Sequence, residues 1–187
     1  MKPTDQLKDE HKGIKRMLQI LGKVCEQLEA RIEINADHLE KIIDFFKVFV
    51  DQCHHGKEED LLFPAMEDAG IPREGGPIEV LLLEHKQGRK YVRDMNEALG
   101  NYWEGERDAS SSLVVNSRSY IELLTKHIEK EDTVLFPLAD SQLLQKKQKE
   151  LLRGFEKIEL ERIGIGKHEE FHRLLDTLEV AYLGNRI

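Results

Sequence analysis

The stretch His54-His55-Gly56-Lys57-Glu58-Glu59-Asp60-Leu61-Leu62-Phe63-Pro64 returns, 73 residues later, as His127-Ile128-Glu129-Lys130-Glu131-Asp132-Thr133-Val134-Leu135-Phe136-Pro137. Each half also carries an earlier Glu-His pair, Glu10-His11 and Glu84-His85, spaced by 74. On a helix, His-x-x-x-Glu puts an imidazole and a carboxylate one turn apart on one face, about 6 Å along the axis. Two such pairs and two single histidines make six candidate ligands for a transition metal: His11, His54, Glu58, His85, His127 and Glu131. Iron is the best match.

The surrounding sequence is helical throughout. Leu7, His11, Ile14, Leu18, Leu21, Cys25 and Leu28 recur at spacings of four and three, the seam of a bundle helix over about residues 5–30. Histidine stands there where leucine would otherwise be. A second helix is predicted over about 37–69, with Ile43, Phe46, Val50, His54, Glu58, Leu61 or Leu62, and Ala65 on one face. Pro64 predicts a kink or break near Phe63. Ile71-Pro72-Arg73-Glu74-Gly75-Gly76-Pro77 reads as a linker. A third helix starts near Pro77 and carries Ile78, Leu81 or Leu82, His85, Gly88 or Arg89, Val92, Met95 and Leu99, with Gly100 as its end. A fourth, over about 108–136, presents Leu113, Asn116, Tyr120, Leu124, His127, Glu131, Val134 and Leu138, with a stop at Pro137 and Asp140-Ser141. Beyond the repeat, a fifth helix is expected to hold Leu143, Leu144, Leu151, Leu152, Phe155 and Ile158. Ile163-Gly164-Ile165-Gly166 breaks it, and a sixth carries His168, Phe171, His172, Leu175, Leu178 and Tyr182. The expected class is all-α: a four-helix bundle over about 5–140, with two C-terminal helices over about 141–187 packed on it in one domain.

Composition agrees. Of 187 residues, 34% are charged and 6% aromatic, which favours helix over sheet. A net charge of −8 argues against a general nucleic-acid binder. No apolar run approaches the roughly 20 residues that span a bilayer, and Met1-Lys2-Pro3-Thr4-Asp5 does not open a signal peptide. A cytoplasmic location is expected. Cys25 and Cys53 form no CxxC and read as small buried residues.

A single histidine on an apolar face is usually a hydrogen-bonded core residue. Four seams with a histidine each, two of them with a glutamate one turn later, are different, because buried ionisable groups are costly unless paired or bound to metal. Where neighbours compete, the seam and the repeat select His54 and Glu58. His55 and Glu59 are then expected behind the ligands or on the surface, Glu59 being the better placed to orient a ligand histidine. Imidazole with carboxylate suits iron, with zinc or manganese as alternatives. Six ligands from four helices fit two metal ions bridged by carboxylates. The ferritin-like Glu-x-x-His pattern occurs once, at Glu169-x-x-His172, so that class fits poorly.

As a set, the Glu-His openings and the two His-x-x-x-Glu blocks with Leu-Phe-Pro resemble the hemerythrin-like (HHE cation-binding) family over about residues 5–140. The resemblance implies an up-down bundle around two non-haem iron ions, an Fe–O–Fe type centre bridged by the two glutamates and a solvent-derived oxygen. His11, His54, His85 and His127 would be terminal ligands, and Glu58 and Glu131 would bridge. Two departures separate the chain from the invertebrate oxygen carriers. Their third metal-binding helix carries His-x-x-x-His, but Arg89 stands four residues after His85. Their last helix carries His-x-x-x-x-Asp, but Glu131 follows His127 at four. The missing histidine counts against reversible oxygen carriage, and His168 or His172 is a candidate replacement. The implied function is binding, sensing or reaction with a small oxidant: oxygen, peroxide or nitric oxide. The alternative is a non-catalytic iron-sensing or iron-storing module that signals occupancy to a protein partner. No nucleic-acid or membrane partner is expected.

Overall fold

The computed structural model describes residues 1–106 and 108–184, and no strand occurs among them. The helices are α1 (Pro3–Glu29), α2 (Ala36–Phe45), α3 (Phe63–Asp68), α4 (Pro77–Trp103), α5 (Ala109–Lys130), α6 (Phe136–Gln142), α7 (Gln145–Ile158) and α8 (Lys167–Leu183). Helical conformation persists from α2 to α3 through π-helical Phe46–His55 and Glu58–Leu62. It also persists from α5 to α6 through π-helical Glu131–Leu135. The repeat therefore builds four rods: α1, α2–α3, α4 and α5–α6.

Their ends follow local chemistry. Pro3 opens α1, and the Lys2 backbone N–H donates to the Asp5 carboxylate at 2.7 Å. The Asn35 side chain caps α2 by accepting the Asp37 N–H at 3.0 Å. Pro77 opens α4, which runs past Gly100 to Trp103 before Gly105 turns the chain at φ +79°. Gly164 and Gly166, at φ +85° and +79°, make the break between α7 and α8 that the sequence predicts.

Of the kink or break expected near Phe63, no break occurs, and the stop expected at Pro137 does not occur either. The Phe63 N–H donates to the Glu58 carbonyl, five residues back, and the Phe136 N–H does the same to Glu131. Each wide turn contains the carbonyl four residues before the following proline. The clash that would break an α-helix is thereby relieved. The inserted geometry also shifts the seam: Leu135 is fully buried while Val134 is 53% exposed.

Two apolar clusters fill the bundle. One holds Ile14, Val50, Tyr120, Leu124 and Ile128, and the other Leu7, Leu62, Phe63, Leu135 and Phe136. On α1, the α2–α3 rod and α4 the repeat's histidines and glutamates fall between them in sequence, while on α5–α6 His127 lies between Leu124 and Ile128 of the first cluster and Glu131 between the two clusters. The C-terminal extension adds to both clusters. Leu151 and Phe155 of α7 join the second, and Phe171, Leu175 and Leu178 of α8 join the first. Cys25 and Cys53 are buried and unpaired.

Candidate metal centre

His11 sits on α1, His54 and Glu58 on the α2–α3 rod, His85 on α4, and His127 and Glu131 on the α5–α6 rod. All six are buried, with at most 1% exposure. Two groups of donor atoms emerge: His11, His54, Glu58 and Glu131, and His55, Glu58, His85 and His127. The structure thus brings together all six residues selected by the repeat and adds His55.

The two carboxylates span both groups. Glu131 places one oxygen 3.1 Å from His11 Nε2 and the other 3.0 Å from His127 Nε2. Glu58 faces His54 Nε2 at 3.8 Å with one oxygen and His85 Nε2 at 3.4 Å with the other. Nε2 atoms also meet in pairs, His11 with His54 and His85 with His127, each pair at 3.1 Å.

The other ring nitrogens explain why this is a donor site rather than a hydrogen-bonded core. His11 Nδ1 lies 2.8 Å from Asp132, His54 Nδ1 2.8 Å from Glu10, His85 Nδ1 2.6 Å from Glu59, and His127 Nδ1 2.9 Å from Glu84. Each carboxylate accepts a hydrogen bond from Nδ1–H and directs Nε2 inward, the arrangement that orients a metal-ligating histidine. The four oxygens of Glu58 and Glu131 then have no donor of good geometry, nor does either nitrogen of His55. Buried polar atoms without partners are costly, and converging lone pairs are satisfied by a cation. The donors fit the iron pair implied by the sequence resemblance.

These orienting carboxylates form a second repeat that the sequence displays. Glu10 and Glu84 precede the single histidines and hold His54 and His127. Glu59 and Asp132 follow the ligand glutamates and hold His85 and His11, each in the opposite half. Lys57 and Lys130, three residues after His54 and His127, pair with Glu10 and Glu84. The recurrence of Glu-His and Lys-Glu-Glu/Asp is the signal that identifies them.

His55 is where the sequence reading needs correction. Adjacent helical residues point about 100° apart, so only one of His54 and His55 was expected to face the site. The α2–α3 rod, however, packs against two neighbours. His54 meets His11 of α1 with ring centroids 4.8 Å apart, and His55 stacks on His85 of α4 at 3.8 Å. The repeat itself breaks here, since the residue matching His55 is Ile128. One group therefore has three imidazoles and the other two.

His168 and His172 join neither group. They stack on each other at 4.9 Å on α8, His168 lying 5.4 Å from Phe49. With Phe45, Phe49, Phe171 and Leu175 they line a separate cavity of about 300 Å³ that also touches Glu10. The α8 helix docks against α1, and Leu175 meets Gly13 two residues beyond His11. That contact leaves both histidines on the α8 side of the bundle. Arg89 stands behind the site, donating to Asp51 and Glu59 at 2.6 Å each.

Charge is unevenly shared. Burial opposes the ionised form of both shared carboxylates. It raises Glu58 well above the usual range, helped by the Glu131 charge. Glu131 goes the other way, because His127 and His11 outweigh its burial. Burial opposes charge on His127 too, but Glu131 and Glu84 outweigh it and hold its pKa at about 9. His54, lowered by burial against the pull of Glu10, falls to about 4. Metal requires deprotonated donors. Filling the centre at pH 7 is therefore expected to release a proton from His127, measured by calorimetry in buffers of different ionisation enthalpy. Uptake with no proton release would show this donor already free.

Buried imidazoles sharing two carboxylates inside a helical bundle define a cation-binding helical protein. The profile of the hemerythrin HHE cation-binding domain matches residues 2–139, and the chain belongs to that family. It is 26% identical over 162 residues to the uncharacterized proteins Mb2018 of Mycobacterium bovis and Rv1995 of Mycobacterium tuberculosis. Each match covers 87% of this chain and 62% of the relative, so the chain spans less than two thirds of their length. No solved structure matches the chain. Among the described residues no helix is long and apolar enough to cross a membrane.

Proposed function

We propose that the chain is a non-haem di-iron protein that binds, senses or reacts with a small oxidant: oxygen, peroxide or nitric oxide. The observation that carries this reading is the pair of donor groups sharing Glu58, with Glu131 reaching histidines of both. One carboxylate spanning two groups supports two ions rather than one.

His11 and His54 would hold one ion and His55, His85 and His127 the other, with Glu58 and Glu131 shared between them. Bound iron would supply the electrons and the position at which the small oxidant binds. The chain's part is to hold the lone pairs inward through Asp132, Glu10, Glu59 and Glu84. Leu7, Leu62, Phe63 and Phe136 exclude water from one side, and Val50, Tyr120, Leu124 and Ile128 from the other. The unequal imidazole numbers distinguish the two ions.

Metal analysis of aerobically purified protein should give two ions per chain, mainly iron, with oxo-bridge absorption in the near ultraviolet. A single tightly held zinc with no affinity for iron would overturn the reading.

A further inference from the structure

Among the described residues, three π-helical stretches lie in the α2–α3 and α5–α6 rods, and one of them has no counterpart. Glu58–Leu62 matches Glu131–Leu135 residue for residue, and each contains the carbonyl that the following proline would strike. Phe46–His55 is unmatched, because α5 stays α-helical through Lys130. Proline does not account for it, since the carbonyl four residues before Pro64 belongs to Asp60. The unmatched stretch ends on His55, the residue of the centre that faces Ile128 in the repeat. A π turn closes five residues on rather than four, so successive side chains swing through less than the about 100° of an α-helix. That narrower angle lets His54 and His55 both face inward.

Side chains hold His55 less closely than the other four histidines. Its ring stacks on His85 at 3.8 Å, and its Nδ1 lies 3.6 Å from Asp51 Oδ1, which Arg89 Nε takes at 2.6 Å. The other Nδ1 atoms lie 2.6–2.9 Å from a carboxylate. Backbone register therefore decides where His55 points. A side chain of the C-terminal extension grips that register. Arg162 lies on π-helical Glu159–Ile163, directly after α7. Its Nη1 donates to the Gln52 carbonyl at 3.1 Å, and its Nη2 pairs with Asp60. The guanidinium thus brackets His54, His55 and Glu58 from outside. Gly56 makes the room, because a Cβ there would overlap Arg162 Nη1. Glu129 stands at the equivalent place on the other rod. The π stretch, the second histidine and the glycine occur together on one rod and are absent together from the other.

We infer that Arg162, admitted by Gly56, is a positioning residue for the metal centre: it holds the π-helical register that turns His55 inward. The inference rests on the proposed di-iron centre and adds what makes its two ions unequal. Arg162 lies outside residues 2–139, which match the family, so the third imidazole of one group depends on the extension.

The test uses the full chain loaded with ferrous iron under nitrogen. Fewer than two ions per chain in the parent protein would defeat the di-iron reading itself, separately from this one. With two ions present, the iron retained per chain is followed against rising concentrations of ethylenediaminetetraacetate. Arg162→Ala and Gly56→Ala should each yield the first ion at roughly tenfold lower chelator than the parent, with the helical content of the metal-free protein unchanged by circular dichroism. Alanine is the better helix former, so the Gly56→Ala effect traces to eviction of Arg162 rather than to a weaker helix. His55→Ala should lose the same ion. Adding Arg162→Ala to His55→Ala should leave retention of the remaining ion unchanged, since the residue it positions is gone. A purely structural contact would weaken that ion as well. An unaltered first ion or a loss of helical content in either single variant, or further iron loss in the His55→Ala background, would overturn the inference.

Discussion

Glu58→Ala and Glu131→Ala are each expected to empty the centre, leaving fewer than one ion per chain after desalting. Each carboxylate faces histidines of both groups, so one truncation removes a donor from both ions. Ligand binding stabilises the folded state by about 4 kcal/mol at a thousandfold excess over Kd. For a chain of this size, that loss lowers Tm by roughly 10 °C. Without metal the order should change. Glu58 is buried against Glu131, with neither oxygen hydrogen-bonded, so metal-free Glu58→Ala should be at least as stable as the metal-free parent. Scanning calorimetry with and without chelator checks both halves. Glu59→Ala should keep both ions at saturating metal while affinity falls about 10–100-fold, because Glu59 orients His85 rather than facing the centre. If Glu59→Ala strips the metal and Glu58→Ala keeps it, the two roles are reversed.

Most of the candidate centre was legible because a repeat states its candidate ligands twice. His54 with His127 and Glu58 with Glu131 were fixed by aligning two Leu-Phe-Pro blocks, and the seams placed His11 and His85. His55 was not legible in this way. Its counterpart is Ile128, so the repeat carried no vote for it. A seam drawn on one helix face cannot show that a rod packs on two neighbours. The continuity through Pro64 and Pro137 was hidden for a related reason. Proline breaks an α-helix, and nothing in residue periodicity announces a π turn that admits it. The place of His168 and His172 was also out of reach. Their spacing shows that they share a face with Phe171 and Leu175, but which side of α1 receives that face depends on packing across the whole bundle.

The repeat makes one further comparison available, because its halves are covered unequally. Lys57 and Lys130 hold equivalent carboxylates, Glu10 and Glu84. Lys57 is fully buried and Glu10 is 3% exposed, while Lys130 is 41% exposed and Glu84 18%. The C-terminal extension makes the difference. Phe155 of α7 lies 5.7 Å from the Lys57 ammonium, and Glu159, just beyond α7, pairs with it. Leu61 packs against Gly154, where the absence of a side chain lets α7 approach. Removing one partner of a buried ion pair leaves an uncompensated charge and costs about 3–5 kcal/mol. An exposed pair contributes about 0–1 kcal/mol. Metal-free Lys57→Met should therefore lose about 3–5 kcal/mol in urea denaturation, and Lys130→Met no more than about 1. Adding Glu10→Gln to Lys57→Met should restore much of the loss, because the stranded carboxylate is then neutral. No equivalent recovery is expected from Glu84→Gln added to Lys130→Met, since water already solvates that pair. Equal costs for the two lysines would mean that the extension lies over the Glu10 side of the site without changing its electrostatics.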